Sequence, residues 1–266
     1  MPKTRLNGIE IYCEVHGDGP PVAFLNGIMM NTAGWAFQTP VFARHHKVIL
    51  HDMRGQGQSD KPQGEYSWDT HVEDFKALLD ALGVPAVNLV GVSYGAEVAM
   101  HFVLKYPERV IKLVLGTAAS EITPLLKAFA ESWEAAAAER DGVKFFKLFA
   151  PTVYGNEFLQ TRGDWLAKRA EAFARTVSED WFEGFERLLK NFYTLNVTSR
   201  LGQIRVPTLV VAAQQDLIKP VALSNLIQSA IPQAEMVIIP DAGHVAIFEK
   251  PAEFNTVVLG FLTKGL

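Results

Sequence analysis

The chain is nearly free of cysteine. Of its 266 residues only Cys13 carries a thiol, so no disulfide can form within it. It has no basic surplus either: 25 Lys and Arg stand against 29 Asp and Glu, a formal net charge of −4. Proteins that grip nucleic acid or an anionic membrane through their charge need the opposite balance. No apolar run approaches the ~20 residues that cross a bilayer. The amino end, Met1-Pro2-Lys3-Thr4-Arg5, lacks the apolar stretch of a secretory signal. A cytoplasmic protein with neither nucleic acid nor membrane as partner is expected. None of the histidines falls in a metal spacing such as H-E-x-x-H, and Gly55-Gln56-Gly57 lacks the third glycine and the following helix of a dinucleotide loop. Neither metal nor cofactor is expected, and there is no internal repeat.

Hydrophobic residues make up 48% and charged residues 20%, a globular composition long enough for one large domain with an insertion. Asn7-Gly8 separates Leu6 from the alternating run Ile9 to Val15, a hairpin signal. Cys13 belongs to that alternation and is expected to pack rather than react. Val22–Leu25, Val48–Leu50, Val87–Val92, Val110–Leu115, Thr208–Ala212 and Met236–Ile239 read as buried strands. Between them lie helical patterns: a short one over Trp35–Ala43, and one opened by a Thr70-x-x-Glu73 capping box and closed by Gly83. Others follow Ser93, span Leu223–Ala230 and close the chain from Glu253 to Leu262. Near-continuous apolar strands alternating with helices predict an α/β fold with a mainly parallel sheet covered on both faces. His45-His46, beside Arg44 and Lys47, reads as a solvated helix end.

The alternation stops at Glu121 and resumes at Pro207. The stretch between has helical spacing around 125–140, 143–149, 165–176 and 181–193, and it is rich in Phe and Trp. A helical block between two strands reads as an inserted cap. The expected division is a core of residues 1–120 and 201–266 with a cap of residues 121–200. Most of its aromatic rings should pack cap onto core.

Gly91-Val92-Ser93-Tyr94-Gly95 lies where strand gives way to helix. The pattern G-x-S-x-G has about 0.05 chance occurrences at this chain's glycine and serine frequencies. In that context it is the nucleophile elbow, a tight turn presenting a serine hydroxyl at the strand's carboxyl end. Serine is a weak nucleophile without a positioned base. Histidine supplies one that titrates near neutrality, and a buried carboxylate fixes its tautomer. Sites in parallel sheets form beyond the carboxyl ends of strands, and the chain order Ser93…Asp216…His244 suits such an architecture. Asp241 is nearer to His244 in sequence, but it shares the histidine's loop and is expected to order that loop by an Asx-type turn. His51 is expected to support the 52–60 loop. The oxyanion donors are expected to be the N–H groups of Tyr94 and Ile28. Asn26, Gly27, Met29, Met30 and Val245 are candidate substrate contacts, the methionines as flexible pocket lining.

With those residues in view, the chain resembles the α/β-hydrolase fold superfamily over nearly its whole length. The resemblance rests on the elbow, the Asp52-Met53-Arg54-Gly55-Gln56-Gly57-Gln58-Ser59 loop, Tyr106-Pro107-Glu108-Arg109-Val110, Pro207-Thr208-Leu209-Val210, and Gly243-His244 with Glu249-Lys250-Pro251. It looks most like the bacterial branch of carboxylesterases, 3-oxoadipate enol-lactonases, carbon–carbon bond hydrolases and cofactor-free haloperoxidase-like esterases. That implies an eight-stranded sheet with a helical cap, and a small-molecule ester or lactone as substrate. A serine at the elbow argues against the dehalogenase and epoxide-hydrolase relatives, which place a carboxylate there. The leading expectation is ester hydrolysis through an acyl-serine. Lactone or carbon–carbon hydrolysis with the same triad is the alternative, and a ligand-binding protein with little turnover is the alternative of another class. Two departures stand out: Asn26-Gly27 where many members carry His-Gly, and Ala96 where many carry a second glycine.

Overall fold

Aliphatic and β-branched runs form the inner strands, and turn residues end them. The computed structural model describes residues 3–264; Met1 and Pro2, part of the amino end read above, lie outside them. Asn7 and Gly8, at φ of 49° and 82°, close the hairpin between β1 (Lys3–Leu6) and β2 (Ile9–His16). β3 (Pro21–Leu25), β4 (Lys47–His51), β5 (Val87–Val92), β6 (Val110–Gly116), β7 (Thr208–Ala213) and β8 (Glu235–Ile239) complete one sheet. Its order is β1-β2-β4-β3-β5-β6-β7-β8. β2 is antiparallel to both neighbours, and the remaining pairs are parallel. The expected eight-stranded, mainly parallel sheet is present.

The helices are α1 (Thr39–Phe42), α2 (Trp68–Ala81), α3 (Tyr94–Lys105), α4 (Pro124–Ala138), α5 (Gly142–Val153), α6 (Asn156–Thr161), α7 (Gly163–Ala174), α8 (Glu179–Phe192), α9 (Val221–Ala230), α10 (Ala246–Glu249) and α11 (Pro251–Thr263). α4 to α8 all lie between β6 and β7, and a bridge between Glu121 and Asn196 joins the two ends of that segment. Successive residues of β5 serve opposite faces of the sheet. Val87 and Leu89 join a core shared with α2, α3 and the α4–α8 segment, whereas Val90 and Val92 pack with Phe24, Trp35, Phe42 and Phe254. With both faces dry, a strand has no polar side to show, hence the continuous apolar runs.

Several local expectations are corrected. The cap of α2 is Ser67, not Thr70: Ser67 is extended, and its Oγ accepts the Thr70 N–H at 3.0 Å. The Trp35–Ala43 pattern divides into a 3₁₀ turn over Thr32–Trp35 and the short α1, because Pro40 has no N–H with which to continue a helix. His46 is buried beside the Phe42 ring rather than solvated, and burial pushes its pKa down. α6 carries no buried residue, so no apolar stripe announced it in the sequence.

The elbow shows why its glycines are required. A Cβ on Gly91 would overlap the carbonyl of Gly95, and a Cβ on Gly95 would overlap the carbonyl of Leu25. α3 therefore sits with its first turn against the ends of β3 and β5, closer than any side chain permits. Ala96 is fully buried, one residue beyond that contact. Gly95→Ala is expected to lower stability by about 3 kcal/mol, the upper end for overpacking, whereas Ala96→Gly should cost about 1 kcal/mol. Urea denaturation of the two variants checks this; equal midpoints would contradict the close-approach account.

Candidate active site

Ser93 occupies the elbow with φ 52° and ψ −122°, a conformation that L-residues seldom adopt. It is locked there by three backbone bonds. Its N–H donates to Gly116 O at 2.9 Å, and its carbonyl accepts the N–H groups of Ala96 and Glu97. Strain of this kind persists only where the surroundings enforce it. The result is a hydroxyl lifted off the end of β5.

His244 and Asp216 arrive from the ends of β8 and β7. His244 Nε2 lies 2.8 Å from Ser93 Oγ, and His244 Nδ1 lies 2.7 Å from Asp216 Oδ2. Both side chains are buried. Asp216 Oδ1 accepts the N–H groups of Ile218 and Lys219 at 2.9 and 2.8 Å, so the carboxylate is fixed by its own turn. An ionised carboxylate only accepts, which puts the imidazole proton on Nδ1 and leaves Nε2 to accept from the serine. The histidine's loop is pinned from below: Glu249 Oε2 accepts the N–H groups of Gly243 and Gly155, both at 3.1 Å. Burial raises the Glu249 pKa against the pull of those bonds. Asp241 is exposed at φ 53°, and its N–H donates to Gln214 Oε1; among the described residues it makes no bond to His244.

Among the described residues, the N–H groups of Ile28 and Tyr94 find no acceptor. Tyr94 is held by its side chain. Asn191 Nδ2 donates to the phenol oxygen at 2.7 Å, and the phenol stands 3.0 Å from His71 Nε2. Burial pushes the His71 pKa down to about 3, so the ring is neutral and shares a single hydrogen bond between Nε2 and the phenol oxygen. Asn191 comes from α8, so this contact also fastens the α4–α8 segment to the elbow.

Asn26 is placed differently from the expectation that it meets substrate. It is fully buried, and its side chain is consumed by a network: Trp35 Nε1 donates to Asn26 Oδ1 at 2.7 Å, and Asn26 Nδ2 donates to His51 O and Gln56 Oε1. Gln56 Nε2 in turn donates to the carbonyls of Gly27 and Ile28. Asn26 thus shapes the Gly27–Met30 loop from behind. His51 contributes only its carbonyl; its ring is buried on Phe75, with the pKa pushed down to about 4. The 52–60 loop is braced by Asp52, which accepts from Thr32 and Gln58 N–H groups.

Over Ser93 lies a cavity of about 100 Å³. Gly27, Ile28, Met29, Met30 and Val245 line it, as do Trp133, Phe149, Val153 and Phe192 from the α4–α8 segment. One feature of its wall escaped the sequence reading. Lys219 lines the cavity, and its ammonium is paired with Glu97 at 2.5 Å with both side chains buried. A charge within a buried apolar stretch demands a partner. Glu97 precedes Val98-Ala99-Met100 and Lys219 follows Leu217-Ile218, so each was a signal.

The chain belongs to the α/β-hydrolase fold family, whose profile matches residues 20–251. Its relatives span several hydrolytic activities. A putative carbamate hydrolase, RutD of Azorhizobium caulinodans, is 28% identical over 98% of this chain and 98% of its own length. The 3-oxoadipate enol-lactonase 2 of Acinetobacter baylyi is 27% identical over 91% of this chain and 88% of that protein. Among solved structures, MGS-M2, an α/β-hydrolase enzyme from a Medee basin deep-sea metagenome library, superposes with a TM-score of 0.95 at 31% identity, covering 99% of this chain and 98% of that one. No helix among the described residues is long and apolar enough to cross a membrane.

Asn26→Leu keeps the branched shape but strands the indole N–H of Trp35 and takes a donor from His51 O and Gln56 Oε1. Leaving one buried donor unpaired costs about 1–3 kcal/mol, so a drop of about 2 kcal/mol in unfolding free energy is expected. Chemical denaturation measures it; an unchanged midpoint would show that the network bears no load.

Proposed function

We propose that this protein is a serine hydrolase that cleaves uncharged carboxylic esters through an acyl-serine intermediate. The observation that carries the reading is the unbroken line Ser93–His244–Asp216, at 2.8 and 2.7 Å, beneath an apolar cavity. In this reading Ser93 Oγ attacks the ester carbonyl and its proton passes to His244 Nε2, while Asp216 stabilises the imidazolium. The carbonyl oxygen becomes an oxyanion facing the N–H groups of Ile28 and Tyr94. Collapse expels the alcohol, which takes the proton from His244. A water then attacks the acyl-serine with His244 as base, and the carboxylic acid leaves. Residues 121–200 act as a cap domain over a core of residues 1–120 and 201–266. Gly27, Met29, Met30 and Val245 contact the substrate.

Cavity size and charge support the substrate class. A cavity of 150 Å³ takes up a benzene, so about 100 Å³ suits a short acyl group. A diacid substrate needs a free cation, ideally an arginine fork. Arg140 is held by Glu179 and Glu186, and Arg187 by Glu183. Arg162, Arg169 and Arg175 do not line the cavity, and Lys219 is already neutralised by Glu97. The likeness to an enol-lactonase supports a second reading, because opening a lactone needs the same groups with the leaving oxygen tethered.

Ser93→Ala is expected to abolish labelling by a fluorophosphonate and to lower kcat by ~10⁴-fold or more. Asp216→Asn should cost far more than Asp241→Asn. Near-normal turnover by a folded Ser93→Ala variant would refute the nucleophile, and the reverse ranking of the two aspartates would refute the acid. A wild-type protein that neither reacts with the phosphonate nor turns over any ester would be a binding protein. If kcat/KM for a 3-oxoadipate enol-lactone exceeds that for p-nitrophenyl butanoate by orders of magnitude, the lactonase reading replaces this one.

A further inference from the structure

The triad gives Ser93 Oγ one polar neighbour, His244, yet the hydroxyl has a second. Lys219 Nζ stands 3.3 Å from Ser93 Oγ. The ammonium has three N–H donors, and its surroundings account for each. One meets Glu97 Oε1 at 2.5 Å, one meets Ser93 Oγ, and the remaining side faces the Phe192 ring, whose centroid lies 5.4 Å away. Glu97 Oε1 also accepts the Ala119 N–H at 3.2 Å, which fixes it against the loop after β6. Lys219 is fixed at its backbone by the same Asp216 oxygen that anchors the acid's own turn. Neither side chain can swing away: Lys219 is 2% and Glu97 0% exposed.

A plain tether between α3 and the β7 loop would explain the ion pair but not its placement. Burying a charge pair costs more than an apolar contact of the same volume, and a tether gains nothing by pointing its cation at the nucleophile in the cavity wall. The consequence appears when the serine reacts. As a hydroxyl, Oγ is a good acceptor for the Lys219 N–H. Once Oγ is bonded to the acyl carbon it becomes an ester oxygen, a poorer acceptor, and the Lys219 donor is left facing an apolar cavity. An unpaired buried donor is costly. The acyl group itself must supply the missing acceptor.

We propose that Lys219, held by Glu97, is a specificity-determining residue that selects acyl groups carrying an uncharged oxygen on the carbon next to the scissile carbonyl: 2-alkoxy-, 2-hydroxy- or 2-oxoacyl esters. That oxygen stands three bonds from Oγ in the acyl-enzyme, within hydrogen-bond reach of an ammonium that touched Oγ before reaction. A carboxylate at the same place would meet a cation already neutralised and the Glu97 charge behind it, so acidic acyl groups are disfavoured. The proposal deepens the ester-hydrolase reading and rests on it.

The test compares two p-nitrophenyl esters of equal length, butanoate and methoxyacetate, which differ by one CH₂ replaced by oxygen. Each kcat/KM is divided by the rate of hydroxide hydrolysis, which removes intrinsic reactivity. The wild-type protein should favour methoxyacetate by about tenfold, the low end for a hydrogen bond to a charged group. Lys219→Met should bring the ratio to about one. Because that variant leaves Glu97 buried without its cation, the Glu97→Gln, Lys219→Met double variant is measured beside it and should give the same ratio. A wild-type ratio of one, or a preference that survives loss of the ammonium, overturns the role of Lys219 while leaving the ester-hydrolase reading intact. Failure of the wild-type protein to hydrolyse either ester, with no phosphonate labelling, overturns both.

Discussion

The seating of α3 against the ends of β3 and β5 is the constraint from which the site follows. Gly95 rests on the carbonyl of Leu25 and Gly91 faces Gly95 with no side chain between them. That contact forces Ser93 into its positive φ and sends its hydroxyl outward. It also brings Tyr94 and the loop after Leu25, with Ile28, to the wall of the cavity that Ser93 lines. The proposed nucleophile and both candidate oxyanion donors therefore owe their places to a single backbone approach, before any side chain has been positioned.

The rest of the site is a set of buried polar groups whose partners fix one another. Asn26, Gln56 and Trp35 hold the Ile28 loop; His71 and Asn191 hold Tyr94; Glu249 holds the His244 loop. Each bond is modest in net terms, but leaving any of these groups unpaired in a dry interior is expensive. The asymmetry makes the arrangement rigid, and in the proposed reaction a rigid site is one whose donors meet the developing charge without reorganising. Lys219 and Glu97 belong to the same set and are its most costly members. Their cost is a reason to seek their role in the reaction rather than in stability.

The inner strands β3 to β7 were legible because both faces of the sheet are buried there, which leaves apolar runs that local periodicity cannot disguise. The elbow and its serine were legible because the glycines answer a steric demand that no other residue meets. Separation in sequence hid the rest. Nothing near Asn26 signals that its amide faces Trp35 and Gln56 rather than substrate, since those partners arrive from other loops. The α2 cap was misplaced because Thr70 supplies a donor to Ser67 while itself looking like a cap. His46 read as solvated from its charged neighbours, although Phe42 on the same turn covers it. The Lys219–Glu97 pair joins residues far apart in the chain, and only the unease of lone charges in apolar surroundings pointed to it.

The account's central claim is that Ser93 forms a covalent bond with the acyl group. Rapid mixing with excess p-nitrophenyl methoxyacetate, acid quenching within the first turnover and peptide mass spectrometry test it directly. The account predicts a burst of p-nitrophenol approaching one equivalent per chain, provided deacylation is the slower step, and a methoxyacetyl adduct on the peptide that contains Ser93. An adduct on another residue, or steady turnover with no adduct in a series of quench times spanning the first turnover, would contradict it.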